Sequence, residues 1–152
     1  MIKIVVDTNI FISAILFDGI PGKIIELGLE GKIQILISQE ILEELTNVLQ
    51  NKFNFQIDMV KSINSFIKEF VVIIYPGKKI KVIQNKESDN RVLECAIEGK
   101  VDYIITGDIK HIQILKEYRG IKILNPSQFL EKFMIKQKRG DIYGKNFDKG
   151  CG

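Results

Sequence analysis

The chain of 152 residues has no tryptophan, one histidine (His111), two cysteines (Cys95 and Cys151) and three prolines. Each shortage removes a class of chemistry. Two cysteines without paired spacing or histidine neighbours make neither a disulfide framework nor a thiolate metal site. A single histidine argues against histidine-rich catalysis. Apolar runs such as 33–37 and 71–75 are about a quarter of the roughly 20 residues that a membrane-crossing helix requires. The apolar stretch 2–6 is broken by Lys3 and followed by Asp7, with no small-residue cleavage site. It does not read as a secretory signal, so the expected location is cytoplasmic, with no membrane partner. Glycine-rich phosphate loops are missing too, since there is neither a G-x-G-x-x-G after the first strand nor a Walker A pattern.

What is present reads as one globular domain. Hydrophobic residues make up 45% and charged residues 27% of the chain, a composition that supports a single sizeable core. The net charge of +3 is accounted for by Lys136, Lys138, Arg139, Lys145 and Lys149 against Asp141 and Asp148. The remaining body is neutral, so bulk charge does not announce a nucleic-acid partner. Residues 1–135 are expected to form the domain, and 136–152, punctuated by Gly140, Gly144, Gly150 and Gly152, a basic and flexible tail.

Short β-branched runs alternate with helical periodicity. Strands are predicted at 2–6, 32–37, 71–75, 101–106 and 121–124. Helices are predicted from Ile10, at 23–30, after Ser38 as N-cap, at 57–70, from Ser88 to Glu98, at 109–116 and from Pro126. A possible extended piece at 80–83 lies in a lysine-bearing loop. Alternating strands and helices predict an α/β fold with a parallel sheet covered on both sides.

Ligands of open α/β sheets sit beyond the carboxyl ends of the strands. Asp7, in Asp7-Thr8-Asn9, and Asp108, in Thr106-Gly107-Asp108, follow strands directly. Helix geometry adds two further acids. Glu44 flanks the apolar stripe of Ile41, Leu42, Leu45, Val48 and Leu49, whereas Glu43 faces solvent. Asp89 begins the core-facing side of its helix ahead of Val92 and Leu93, while Arg91 and Glu94 fall on the opposite, solvated side. Asp7 and Asp108 also have a purely structural explanation as helix caps, and Asp89 as a first-turn charge suited to the helix dipole. Four carboxylates at one sheet edge would repel one another unless a cation compensated them. All-oxygen ligation suits Mg²⁺ or Mn²⁺ better than zinc, and such ions serve phosphodiester hydrolysis.

These ordered motifs, with Ser88-Asp89-Asn90 heading the third, resemble the acidic motifs of PIN-domain nucleases over residues 1–133. They are especially similar to the bacterial and archaeal group related to VapC-type toxins of toxin–antitoxin pairs. The resemblance implies a three-layer α/β/α fold with strand order 3-2-1-4-5, Mg²⁺- or Mn²⁺-dependent endoribonuclease activity and a homodimer. It also implies an RNA substrate, single-stranded or structured, and a small antitoxin partner. Asp7, Glu44, Asp89 and Asp108 would be the catalytic, metal-binding acids, with Asn9 and Thr106 as polar support and Asn90 in the same motif. Many relatives carry an acid or proline immediately before the third acid; here the pair is Glu87-Ser88, which makes Glu87 a candidate outer ligand. The alternative is a non-catalytic PIN-like module that binds RNA or protein, its acids serving only as caps and solvated charges. Two expectations complete the reading: Lys78, Lys79, Lys81 and Lys86 would contact RNA phosphates, and the face of 57–70 that carries Phe66 would form the dimer.

Overall fold

Ile4, Val5 and Val6 are fully buried, as expected of a strand covered on both faces, and the rest of the sheet is arranged about them. A computed structural model of the chain describes residues 1–77, 79, 87–107 and 116–151, with side chains for all of these but 87–88 and 140–151. The elements in chain order are β1 (Lys3–Val6), α1 (Thr8–Phe17), α2 (Gly19–Leu29), β2 (Gln34–Ser38), α3 (Gln39–Asn51), α4 (Ile57–Phe70) and β3 (Val71–Ile74). They continue with α5 (Glu87–Gly99), β4 (Tyr103–Ile105), β5 (Glu117–Tyr118), β6 (Ile121–Leu124) and α6 (Pro126–Cys151).

The sheet order is β3-β2-β1-β4-β6-β5. The pairings from β3 through β6 are parallel, and β5 joins β6 antiparallel. The parallel strands therefore follow the expected 3-2-1-4-5 order, with a two-residue edge strand added. Arg119 and Gly120, at φ 49° and 82°, both adopt the left-handed conformation that closes a tight hairpin. So short a strand leaves no alternation to read in the sequence. The helix expected at 109–116 falls almost wholly, and the extended piece at 80–83 entirely, outside the described residues.

The layers follow from two glycines. A Cβ on Gly28 of α2 would lie 2.5 Å from Ile35 Cδ1, and one on Gly99, at the end of α5, would lie 2.6 Å from Leu36 Cδ2. Successive residues of a strand point to opposite faces, so α2 and α5 cover opposite faces of the sheet. Each approaches β2 closely because it has only hydrogen there.

Local signals start the helices. Ser38 Oγ accepts from the Ile41 N–H at 3.2 Å and caps α3. Asn125 and Gln128 cap α6 reciprocally, each backbone N–H donating to the other's side chain, at 2.9 and 2.8 Å, with Pro126 as the first helical residue. Phe129 of α6 is fully buried and meets the Tyr103 ring edge-on at 5.8 Å. The helix then continues past Lys136 to Cys151, through the stretch read as a tail. Glycines at 140 and 144 remove side chains from the periodic pattern but leave helical backbone bonding available. Among the described residues no helix is long and apolar enough to cross a membrane.

Gly28→Ala is expected to lower stability by about 1–2 kcal/mol, because overpacking against β2 outweighs the helix propensity gained. Urea unfolding should show this while Gly77→Ala, which meets nothing within 4 Å, leaves the midpoint unchanged. Burial pushes the Cys95 thiol from 9.0 up to about 12. The folded chain thus keeps a proton that the unfolded chain releases first. The resulting stabilisation is complete below pH 9 and falls as the pH rises toward 12, a decline that Cys95→Ala should lack in parallel urea titrations.

Candidate active site

The chain order places β2 and β3 on one side of β1 and β4 on the other, so the connections diverge between β1 and β4. Crevices of open α/β sheets form at this kind of switch point. The β1–β4 register sets Val6 opposite Ile105, which brings Asp7 and Thr106 together at the carboxyl ends of these two strands. The Asp7 N–H donates to the Ile105 carbonyl at 3.2 Å. Asp7 Oδ1 accepts from the Ile10 N–H at 3.0 Å and so caps α1, while Oδ2 accepts from Thr106 Oγ1. Both side chains are buried.

Thr8, the first residue of α1, donates through Oγ1 to Glu44 Oε2 at 2.9 Å. This bond ties α1 to α3 and holds Glu44 on the inner edge of its helix, as the wheel argument requires, with Glu43 exposed. Asp89 and Asn90 are buried in the first turn of α5. Asp7, Thr8, Asn9, Glu44, Asp89 and Val92 together line a cleft of about 30 Å³. Of the acids expected from sequence, Asp7, Glu44 and Asp89 thus border one space, and Asp108 lies outside the described residues. Asn9 stands at the cleft, Thr106 sits behind Asp7, and Asn90 is buried beside Asp89 without lining it. Among the expected phosphate-contacting lysines, Lys79 is exposed and Lys78, Lys81 and Lys86 lie outside the described residues.

Thr8 was not singled out from sequence; its only signal is a hydroxyl next to Asp7. Arg91 and Glu94 correct the expectation of two solvated charges. Glu94 is 3% exposed, and Arg91 pairs with it at 3.2 Å and with Glu40 of α3 at 3.7 Å. The helical wheel treats α5 as lying on the sheet alone, whereas α3 packs against it and covers this side.

Among the described residues, the polar side chains lining the cleft offer oxygens apart from the asparagine nitrogen, and three of them are carboxylates. That set matches a hard cation chemically. Among the described residues no three His, Cys, Asp or Glu side chains converge closely enough to form an ion-binding group, in keeping with the protein partners already engaging Asp7 and Glu44.

The chain belongs to the PIN domain family, which it matches over residues 3–110. PIN domains are generally nucleases and generally use divalent metal ions. The chain is 37% identical over 145 residues, spanning 87% of its own length and 92% of the other, to "Uncharacterized protein MJ1680" of Methanocaldococcus jannaschii. Two solved structures share the fold. VapBC2 of Rickettsia felis, bound to a DNA fragment from its promoter, has a chain that aligns with TM-score 0.57 and 20% identity, covering 82% of this chain and 98% of that one. VapBC-1 of nontypeable Haemophilus influenzae aligns with TM-score 0.59 and 18% identity, covering 83% and 99%.

Removing the Arg91 guanidinium takes an ion-pair partner from a buried carboxylate, which generally costs about 3–5 kcal/mol. Arg91→Met is therefore expected to lower the melting temperature by well over 5 °C, and Arg91→Met/Glu94→Leu to recover much of the loss. A single variant as stable as the parent would show that the pair contributes nothing.

Proposed function

We propose that the chain is a divalent-metal-dependent endoribonuclease that hydrolyses RNA phosphodiester bonds in the cytoplasm, as the toxin component of a toxin–antitoxin pair. The observation that carries this reading is that Asp7, Glu44 and Asp89 all line one cleft at the carboxyl edge of the sheet. Asp7, Glu44 and Asp89, with Asp108 from outside the described residues, would hold Mg²⁺ or Mn²⁺. A cleft of about 30 Å³ has room for a particle the size of a water molecule. A bound ion of this kind polarises a phosphate oxygen and lowers the pKa of the attacking water.

The chain's own residues orient this chemistry. Asp7 is fixed through both carboxylate oxygens, so its direction does not depend on solvent. Thr8 holds Glu44 toward the same space. Asn9, exposed at the cleft, presents an amide able to donate to a phosphate oxygen. Thr106 acts through Asp7, and Asn90 is buried next to Asp89 in the first turn of α5. The structural neighbours are toxin–antitoxin complexes, which supports a small antitoxin as partner. A homodimer is supported by α4, whose Met59 and Phe66 fall on one side of the helix and are 57% and 49% exposed. It would reuse one apolar patch on both subunits.

The second reading, a non-catalytic PIN-like module, draws on the same bonds, since capping α1 and accepting from Thr8 require no ion. A fluorogenic RNA assay with Mg²⁺ or Mn²⁺ separates the two. Cleavage should depend on the added ion, and Asp7→Asn should reduce it by at least about 100-fold, the scale expected when several kcal/mol of charge stabilisation is lost. The variant should still fold, because the amide oxygen can accept from Ile10. Full cleavage by Asp7→Asn, or no ion-dependent cleavage or thermal shift in the parent, would select the binding module. For the dimer, light scattering across micromolar concentrations should give about twice 17.4 kDa; the monomer mass throughout would reject it.

A further inference from the structure

A second polar pocket, of about 300 Å³, lies between α3 and α4, lined by Gln39, Leu42, Glu43, Thr46, Asn47 and Asn64. Its walls differ in kind from the acidic cleft. Gln39, Asn47 and Asn64 each offer a carbonyl acceptor and an amino donor, and Glu43 offers acceptors only. Asn64 Nδ2 donates to Thr46 Oγ1 at 3.1 Å, which braces the wall across the two helices. Gln39 is the first residue of α3, directly after β2, so the pocket starts at the same sheet edge as the cleft. Glu43 and Glu44 are adjacent in sequence, one lining the pocket and the other the cleft. The cleft and the pocket thus share helix α3, which lines both.

Resting on the nuclease reading, we propose that this pocket holds an unstacked nucleobase of the RNA strand next to the cleft and reads its hydrogen-bonding edge. Proteins that read RNA sequence bind splayed-out bases along their edges, and amide and carboxylate side chains are suited to that task. Neutral amides, rather than lysines, match a base and not a phosphate. Glu43 adds a bias. As an acceptor it pairs with the exocyclic amino group of cytosine or adenine, whereas uracil presents carbonyl oxygens at the corresponding positions and is disfavoured.

The test measures binding and cleavage separately. Labelled twelve-residue oligomers of cytidine, adenosine and uridine are titrated by fluorescence anisotropy, in EDTA, against the full chain and against Glu43→Gln and Asn47→Ala/Asn64→Ala. The parent should bind the cytidine or adenosine oligomer about tenfold more tightly than the uridine oligomer, the scale of one well-made base contact. Glu43→Gln should bring that ratio to within about twofold, and the double variant should do the same while uridine binding stays at its parent value. Equal affinity for all three oligomers in the parent, or an unchanged ratio in both variants, would overturn the pocket. The metal-dependent cleavage assay is scored on its own. Cleavage without base discrimination rejects the pocket and leaves the nuclease reading standing, whereas discrimination without cleavage supports the pocket and rejects the nuclease.

Discussion

The carboxylate of Asp7 is the point on which the cleft edge of this molecule depends. One oxygen holds the first turn of α1 and the other holds Thr106, beyond the neighbouring strand β4. β1 and β4 flank the place where the chain's connections diverge, and among the described residues the backbone bonding between them ends at the Asp7 N–H. The side chain continues the link, through Thr106. The start of α1 then directs Thr8 at Glu44, and α3 is tied in turn to the edge. A short relay of hydrogen bonds thus sets the cleft from one buried acid.

Placing several acids together works against stability, and the structure offsets this with neutral or cationic partners just behind them. Thr8 and Thr106 supply hydroxyl donors on one side. On another, Arg91 is set between Glu94 of its own helix and Glu40 of α3. It ties the helix that carries Asp89 to the helix that carries Glu44. Local conflict between stability and arrangement is expected where a protein acts, and here it is confined to one edge above a core of isoleucine, leucine and valine.

Much of this was legible in the sequence because its signals are local. Ser38 as a cap, Pro126 as a helix start and the stripe of α3 each depend on a few neighbouring residues, and the structure has all three. The inward turn of Glu44 followed from the 3.6-residue period alone. Features that require knowledge of what packs on what were not legible. The burial of Glu94 depends on α3 covering α5, and the edge strand β5 depends on two consecutive left-handed residues rather than on any hydrophobic pattern. The bond from Thr8 to Glu44 spans 36 residues, and no periodicity within either helix reports it.

The bond between Thr106 and Asp7 joins residues 99 apart in the chain. Closing a loop of that length costs conformational entropy before any contact compensates it, and parallel strands so connected pair slowly. The half of the sheet made by β1, β2 and β3 uses nearer partners and can assemble first. In the order in which a chain leaves the ribosome, the acids of β1 and α3 emerge well before β4 can dock beside them. The cleft therefore needs a contact across 99 residues before it is complete, and a chain lacking β4 carries its acids without that contact.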